Sequence, residues 1–381
     1  MKLLFDLRAT QPNGGAIKHG GGKYAEIIFK RITERAIPFS CYYNSNLYIS
    51  PELYSFVISH GIQLFDIKND SIDNIVKLFK FDRIFSAIPN GLDSFDECPV
   101  YCTIHDLRPL ELPCDLFYFK YKKKLTLSNV KEDLKFVIRK YFKKECEERI
   151  KAAYRDSYLN NDNFKIITVS EHSKYALLSY FPELKDKGIK VFYSPNTSFA
   201  PEREINVGCQ KYFLSVSGGI WLKNVLRSVI AFDTLVSRGY LLDYKYKITG
   251  VKASDFKYKL KNPNYFEFLD YVEEDVLDYL YANAFCFVYP SLSEGFGYPP
   301  LEAMRYKVPV ISSPVSSMAN ILDSGALYFN PFSIEEIMNR MMMISEKDCH
   351  RVYSERGYQR YLEVRNRQEK DLDALIDYIL E

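Results

Sequence analysis

The sequence predicts an α/β protein made of two doubly wound, Rossmann-like domains, each with a parallel sheet. Three observations support this class. The chain has 381 residues, which is more than one hydrophobic core usually takes. Short apolar runs typical of strands alternate with helical patterns, and such alternation indicates βαβ units. Residues 194–207 contain Pro, Ser and Asn without an apolar period, as a linker between domains would.

The predicted elements follow this pattern in chain order. Strands are expected at Lys2–Leu7, Arg83–Ala87, Val100–His105, Lys165–Ser170, Tyr212–Ser217, Lys245–Gly250, Tyr265–Phe268, Ala284–Tyr289 and Val308–Ser312. Helices are expected at Gly22–Ile37, Val225–Arg238, Glu274–Ala284, Pro300–Tyr306 and Gln368–Leu380, the last from apolar residues at helical spacing. We therefore expect an N-terminal domain over 1–200 with a helical insertion at about 112–160. A C-terminal domain over 201–362 follows, and the helix of 363–381 is expected to pack back on the N-terminal domain.

Composition and charge exclude several classes of protein. The chain is 47% hydrophobic and 26% charged, which is typical of a globular protein and excludes a disordered one. A net charge of +2 is too small for a dedicated nucleic-acid binder, so no nucleic-acid partner is expected. No run of about 18 apolar residues predicts a membrane span. Asp6 and Arg8 interrupt the first apolar run, which indicates a strand and not a signal peptide. Eight cysteines without a CxxC pair indicate reduced thiols and a cytoplasmic protein.

The segment with the most chemical information is Ser291–Met304, SLSEGFGYPPLEAM. It follows an apolar strand, and ligands of doubly wound domains bind outside the carboxyl ends of strands. The glycines allow a close backbone approach, and the prolines suit the start of a helix. Glu294 before that helix and Glu302 in its first turn can face one volume, where carboxylates accept hydrogen bonds from sugar or ribose hydroxyls. For Glu302 alone, the simpler interpretation is an acidic residue in the first turn of the helix that interacts favourably with the helix dipole.

The Glu-x7-Glu pattern EGFGYPPLE, followed by AMRYKVPVISS, resembles the signature of the retaining GT-B glycosyltransferases of the family-4 type, the glycosyl transferases group 1. This family includes bacterial polysaccharide and O-antigen enzymes. Further segments fall in the family's order: KHGGGKYAEIIFKRI, VYCTIHDLRPLELP, TVSEHSKYALLSYF, YFLSVSGGIWLKNVLRSVIAF and LDYVEEDVLDYLYANAFCFVYPS. The resemblance covers roughly residues 1–110 and 165–335. It implies two domains facing a central cleft, and transfer of a sugar from a UDP-, GDP- or dTDP-sugar to a saccharide or lipid-linked saccharide.

The resemblance also implies roles for individual residues. Lys223 would contact the departing diphosphate, Glu294 and His105 the sugar, and Glu302 the ribose. The remaining donor-binding candidates are residues of glycine-rich or loop segments: Gly20, Gly21, Gly22, Gly218, Gly219, Asn224, Gly250, Phe296, Gly297 and Tyr298. The family uses no metal ion or other cofactor, and no cluster with zinc-like spacing occurs. Asp371-Leu372-Asp373 lies on the terminal helix with no strand before it, so we interpret it as a solvated face.

Two departures from the family pattern leave alternatives open. The family often has Arg-Lys-Asn where this chain has Leu222-Lys223-Asn224, so another group must replace the missing cation. Its Pro and Glu after the signature are lost, and Asn320 stands in place of the Glu. A catalytically weak relative that acts as a binding or scaffold protein in polysaccharide assembly is therefore one alternative. A GT-B phosphorylase or epimerase is another.

Residues 116–151 form a basic, aromatic segment that does not match the family core. The segment has 12 Lys and Arg against 5 Asp and Glu. Ser128 is expected to cap a helix whose apolar stripe includes Val130 and Leu134. One interpretation packs that stripe on the N-terminal domain. The other is peripheral contact with an anionic membrane at the inner face of the plasma membrane, with the aromatic residues of 117–121 at the interface.

Overall fold

The computed structural model describes residues 2–12, 20–92, 95–121, 126–196 and 210–381. Several predictions concern residues outside these ranges. They are the greater part of the linker expected at 194–207, the residues Lys18 and His19 of the first glycine-rich segment, and the three lysines at 122–124 of the basic segment.

The strands and helices alternate along the chain. The strands are β1 Leu3–Asp6, β2 Phe39–Tyr43, β3 Gln63–Asp66, β4 Arg83–Ser86, β5 Val100–Ile104, β6 Phe164–Thr168, β7 Lys190–Val191, β8 Tyr212–Ser215, β9 Lys245–Thr249, β10 Phe266–Leu269, β11 Cys286–Tyr289, β12 Val310–Ser312 and β13 Ala326–Tyr328. The α-helices are α1 Gly20–Glu34, α2 Pro51–Ser59, α3 Ile72–Phe79, α4 Arg108–Glu111, α5 Leu127–Tyr141, α6 Lys143–Tyr154, α7 Glu171–Tyr180, α8 Val225–Ser237, α9 Glu274–Asn283, α10 Tyr298–Arg305, α11 Met318–Leu322, α12 Ile334–Ser345 and α13 Lys347–Leu380. No helix in the described parts of the chain combines the length and apolar character that a membrane span needs.

The chain divides into two compact units. Unit 1 comprises Met1–Leu107, Glu147–Thr197 and Arg365–Glu381, and unit 2 comprises Arg108–Cys146 and Ser198–Val364. The sequence analysis assigned the insertion at about 112–160 to the N-terminal domain, whereas the structure places its greater part in unit 2. The physical reason is that Tyr121 pairs with Phe256 and is buried against unit 2 residues.

Unit 1 is built on a seven-stranded parallel sheet in the order β3-β2-β1-β4-β5-β6-β7. Helix α1 covers it with buried residues at helical spacing, among them Tyr24, Ile28 and Phe29. The Phe29 ring meets Phe5 of β1 with 5.5 Å between centroids. In the terminal helix, Leu375, Ile376 and Ile379 are fully buried. Asp371 of the DxD-like triplet accepts a hydrogen bond from the Tyr193 backbone N–H at 2.8 Å, which is a structural contact.

Unit 2 is built on a six-stranded parallel sheet in the order β10-β9-β8-β11-β12-β13. Helix α8 packs on this sheet through a nearly continuous set of buried residues that includes Phe232 and Leu235. Renumbered from its first strand, the sheet has the order 3-2-1-4-5-6, the doubly wound arrangement. The strand order reverses between β8 and β11, so the loops after these two strands diverge where such domains bind ligands.

Candidate functional site in unit 2

Glu294 lies in the loop after β11, and one of its carboxylate oxygens is held by three donors. The Oε1 atom accepts hydrogen bonds from Lys223 Nζ at 2.7 Å, Tyr289 Oη at 2.7 Å and Ser291 Oγ. The residue is 7% exposed. Burial acts to raise the pKa of Glu294, but the Lys223 charge and these hydrogen bonds outweigh it and lower that pKa. Glu294 is therefore an ionised carboxylate at neutral pH.

Lys223 approaches Glu294 from the loop after β8, in the 3-10 turn Trp221–Lys223. Its Nζ donates to Glu294 Oε1 and, at 3.0 Å, to Tyr289 Oη. An ammonium group has three N–H donors. Two of the Lys223 donors are thus used within the described part of the chain, and the side chain remains 19% exposed. The third donor is available to an anionic oxygen.

Asn224 joins the two loops structurally. Its backbone is left-handed at φ 56°, and its Nδ2 donates to Pro290 O at 3.0 Å and Pro331 O at 2.8 Å. Its Oδ1 accepts from Arg227 Nη1 at 2.7 Å. Both N–H groups of the Asn224 side-chain amide are therefore used in bonds within the fold. Asn224, which the sequence predicts to bind the nucleotide sugar, thus also positions Lys223 beside β11.

Glu302 lies in the second turn of α10, and not in the first turn as predicted, because the helix begins at Tyr298. It shares a neighbour with Glu294. Burial first, and then the charges of Glu294 and Glu302, raise the pKa of Tyr289. Burial first, and then the charge of Glu302, also raise the pKa of Tyr281. Both carboxylates of the Glu-x7-Glu pattern therefore act electrostatically on Tyr289. That they face one ligand volume stays a prediction.

Gly297 precedes α10 with φ 89°, a backbone conformation that side chains rarely adopt. A Cβ atom there would also collide with Met318. Phe296 is buried, and its ring lies 5.4 Å from that of Tyr298. The glycine is thus required for the turn that leads into the helix.

Gly218, Gly219 and Gly250 have a structural reason to be glycine. The N–H of Gly218 donates to Thr249 O at 2.9 Å, and that of Gly219 to Gly250 O at 3.1 Å. A Cβ on Gly218 would lie 2.5 Å from Val251, and one on Gly219 would lie 2.8 Å from Gly250 O. These glycines allow the loops after β8 and β9 to pack together. Their role in donor binding stays a prediction.

The remaining predicted site residues belong to unit 1. His105 follows β5; its Nε2 lies 3.0 Å from Ala87 O and its ring meets Tyr24 edge-on at 4.9 Å. Its carbonyl accepts from Ser173 Oγ at 2.9 Å. Gly20–Gly22 form the first turn of α1, so these glycines begin a helix where the sequence analysis expected a loop.

The cation expected in place of the missing Arg is not supplied by Arg227. Its guanidinium is buried, pairs with Asp115 Oδ2 at 2.7 Å and stacks 3.8 Å from the Phe117 ring centre.

Sequence reasoning missed Tyr289 and Ser291 as partners of Glu294. The signal available was their place at the end of the strand that leads into the signature.

Sequence reasoning also missed a polar cluster in unit 1. Asp6 is fully buried at the carboxyl end of β1, and Arg8 holds both of its oxygens at 2.9 and 2.8 Å. Ser86 Oγ donates to Asp6 at 2.8 Å, and Arg8 donates to Tyr42 Oη at 3.1 Å. The cluster lies where the strand order of unit 1 reverses. The signal was an Asp-x-Arg directly after the first strand.

Comparison with known proteins identifies the relatives of this chain. The family described as Glycosyl transferases group 1 matches residues 200–360. The O-antigen chain mannosyltransferase RfbU of Salmonella typhimurium is 28% identical over 240 residues, covering 60% of this chain and 56% of that protein. The O-antigen chain mannosyltransferase B of Escherichia coli is 27% identical over 221 residues, covering 54% and 58%. The chain thus spans less than two thirds of the length of these relatives.

A solved structure extends the similarity to the whole chain. Anabaena HepE, determined in complex with UDP-glucose, matches with a TM-score of 0.61 at 14% identity, over 99% of this chain and 100% of that one. This similarity confirms the predicted GT-B class of α/β fold with two Rossmann-like domains. Residues 200–360, which hold Lys223, Glu294 and Glu302, match the model of the glycosyl transferases group 1, the family that the Glu-x7-Glu segment resembles.

Proposed function

We propose that this protein transfers a sugar from a nucleoside-diphosphate sugar to a saccharide or lipid-linked saccharide, with retention at the anomeric carbon. The observation that carries the proposal is the pair of Lys223 and Glu294 at the carboxyl ends of β8 and β11. It places a cation with an unused donor beside an ionised acceptor. A diphosphate and a sugar hydroxyl are the two groups that such a pair can recognise together.

The protonation state of Glu294 decides its role. A carboxyl with a lowered pKa does not donate a proton at neutral pH, so Glu294 does not act as a general acid. Its hydrogen bonds from the described residues all end on Oε1. We assign Oε2 to a hydroxyl of the donor sugar. Lys223 stabilises the charge that develops on the departing diphosphate, which is commonly a large catalytic contribution.

The remaining assignments complete the donor site. Glu302 accepts hydrogen bonds from the ribose, and the backbone of Phe296, Gly297 and Tyr298 holds the sugar. Contact of Gly20–Gly22 with the diphosphate, and of His105 with the sugar near the reacting carbon, stay predictions that the family resemblance implies. No side chain is assigned as nucleophile. The acceptor hydroxyl attacks the anomeric carbon from the face that the diphosphate leaves, and the leaving phosphate oxygen takes its proton as the carbon–oxygen bond breaks.

The relatives indicate which donor to test first. The relatives from Salmonella typhimurium and Escherichia coli described above are named as O-antigen chain mannosyltransferases, so we propose a nucleoside-diphosphate mannose as the donor. We also propose that transfer needs no metal ion, because Lys223 stabilises the diphosphate charge. Full activity in excess EDTA is the expected result, and activity restored only by Mg²⁺ or Mn²⁺ would contradict it.

The test has two steps. A thermal-shift screen with UDP-, GDP-, ADP- and dTDP-sugars identifies the donor as the compound that raises the melting temperature. Transfer from that donor is then compared between the wild type, Glu294→Gln and Glu335→Gln. Glu335 is an exposed acid in the first turn of α12 and serves as the control. We expect turnover to fall about 100-fold or more in Glu294→Gln and to stay unchanged in Glu335→Gln.

The anomeric configuration of the product, measured by NMR, tests retention separately. Tight nucleotide binding without turnover of any donor would instead support a scaffold role. Phosphate-dependent cleavage of an acceptor saccharide would support a phosphorylase.

A further inference from the structure

Helix α5 carries a continuous apolar stripe that faces solvent. The stripe consists of Leu127, Val130, Leu134, Ile138 and Tyr141, which recur every three or four residues and so share one face. Leu127 is 83% exposed, Leu134 58% and Tyr141 73%, and α5 has no buried residue. This finding contradicts the expectation that the stripe packs on the N-terminal domain.

The opposite face of α5 explains why the stripe points outward. Phe136 stacks on Tyr118 at 4.3 Å with an interplanar angle of 3°, and meets Trp221 edge-on at 5.8 Å. Arg139 Nη2 donates to Leu112 O at 3.1 Å, and Tyr118 Oη donates to Asp133 at 2.8 Å. These contacts anchor α5 to unit 2 through its other side. The helix begins at a capped end, where Thr126 Oγ1, and not Ser128 as predicted, accepts from the Asn129 N–H.

Exposed lysines border the stripe. Lys131 and Lys135 lie three or four residues from stripe residues on one edge. Lys140 lies farther round the helix, with its Nζ 5.9 Å from the centre of the Tyr141 ring. An outward apolar stripe bordered by exposed lysines is the arrangement that lies in the interface of an anionic bilayer. We propose that the α5 stripe is a peripheral binding surface for anionic lipid, with Leu127, Leu134 and Ile138 entering the headgroup region and the lysines contacting lipid phosphates.

The same geometry argues against two other arrangements. A second copy docked through this stripe would bring two sets of bordering lysines together, which is repulsive, whereas anionic phosphates neutralise them. The aromatic residues of 117–121 do not form the lipid surface that the sequence suggested. Tyr118 and Tyr121 are buried against unit 2, and Phe117 stacks on Arg227. The proposal does not depend on the proposed sugar transfer, because it concerns a surface and not the donor site.

Flotation with vesicles tests the proposal on the full chain. The vesicles are pure phosphatidylcholine, or phosphatidylcholine with about a third phosphatidylglycerol. We expect the wild type to float with the anionic vesicles only. Lys131→Gln with Lys135→Gln should lower the partition coefficient on the order of 30-fold, since each interfacial lysine contributes about one factor of five. Leu134→Ser with Ile138→Ser should lower it by at least tenfold.

Matched controls distinguish loss of the α5 stripe from a general loss of positive charge or of exposed apolar surface. Lys68→Gln with Lys185→Gln removes two exposed lysines of unit 1, and Leu78→Ser replaces a leucine that is 71% exposed on α3. Both controls should float like the wild type. Three results would overturn the proposal: no flotation of the wild type, equal flotation with neutral vesicles, or equal losses in the controls. A wild-type dimer in sedimentation velocity that Leu134→Ser with Ile138→Ser dissolves would assign the stripe to a second copy instead.

Discussion

Unit 2 buries charged side chains around Lys223 and Arg227, and it exposes apolar side chains on helix α5. These two regions lie close together in the structure. Lys223, Glu294 and Arg227 are largely withdrawn from solvent, whereas Leu127 and Leu134 of α5 are exposed. Trp221 links them, because it packs against Phe136 of α5 and lies two residues before Lys223. Buried charge and exposed apolar surface are the two arrangements that folding alone disfavours.

The two regions differ in how the fold compensates the unfavourable arrangement. Each buried charge has an opposite charge and several hydrogen bonds, so removing one partner leaves another unsatisfied. The α5 stripe has no such compensation within the described part of unit 2, so its replacement should leave the fold intact. The comparison therefore predicts large stability effects inside and nearly none outside. The single tryptophan, Trp221, allows urea unfolding of this region to be followed by fluorescence.

Among the charged and hydrogen-bonded residues of unit 2, the largest effect is expected for Arg227→Leu. This change leaves Asp115 and Asn224 Oδ1 without their buried partner and should lower the free energy of unfolding by about 3 kcal/mol. Urea denaturation measures the loss. Arg351→Leu is the control, because Arg351 forms an exposed pair with Asp348, and its replacement should change the free energy of unfolding by less than about 0.5 kcal/mol. Equal losses in the free energy of unfolding for the two variants would show that the buried ion pair contributes no more to stability than the exposed one.

A pH-dependent effect is expected for Glu294→Gln. Because the folded pKa of Glu294 lies below its ordinary value of 4.5, its ionised form stabilises the fold above pH 4.5, and this contribution is lost as the pH falls through the folded pKa. At pH 7 the variant should be less stable by about 2 kcal/mol. The difference from the wild type should shrink when urea denaturation is repeated toward pH 3. A difference that stays constant with pH would mean that Glu294 is not held ionised.

A smaller effect is expected for Tyr121→Phe. The Tyr121 hydroxyl accepts a hydrogen bond from the Leu226 N–H at 3.0 Å and so satisfies a donor in the first turn of α8. Loss of this bond should lower the free energy of unfolding by about 1 kcal/mol. Tyr271→Phe replaces a tyrosine that is 76% exposed and should have no measurable effect. An unchanged free energy of unfolding in Tyr121→Phe would show that the Tyr121 hydroxyl does not stabilise α8.

The smallest effect is expected for Leu134→Ser. Its side chain is exposed on the α5 stripe, so the free energy of unfolding should change by less than about 0.5 kcal/mol. Leu235→Ser provides the contrast: Leu235 is fully buried on α8, and its loss should cost about 4 kcal/mol. A large destabilisation by Leu134→Ser would mean that the stripe packs within the protein.

The sequence was sufficient for the fold class, because that class depends on local patterns. The sugar and ribose roles of the two glutamates stay predictions. The strand predicted at Ala284–Tyr289 is β11, and the signature after it continues into α10. The partners of Glu294 were harder to predict. Lys223 is 71 residues away in the chain, and it reaches Glu294 only because β8 and β11 are neighbours in the sheet.

The basic segment shows a different limit of sequence reasoning. Helical spacing revealed the α5 stripe, but an apolar stripe ordinarily faces the core, and spacing does not tell its direction. The direction depends on Phe136, a single aromatic residue on the opposite face that stacks on Tyr118. The aromatic residues of 117–121 have the composition of an interfacial cluster, yet Arg227 and the start of α8 bury part of them.

The central claim is that unit 2 binds a nucleoside-diphosphate sugar through the loops after β8 and β11 and through helix α10, which follows the second loop. Calorimetric titration of the wild type and Glu302→Ala with the donor found by thermal shift tests it most directly. We predict that Glu302→Ala weakens donor affinity at least tenfold, because the ribose hydroxyls lose their acceptor. Full donor affinity in Glu302→Ala would contradict the claim.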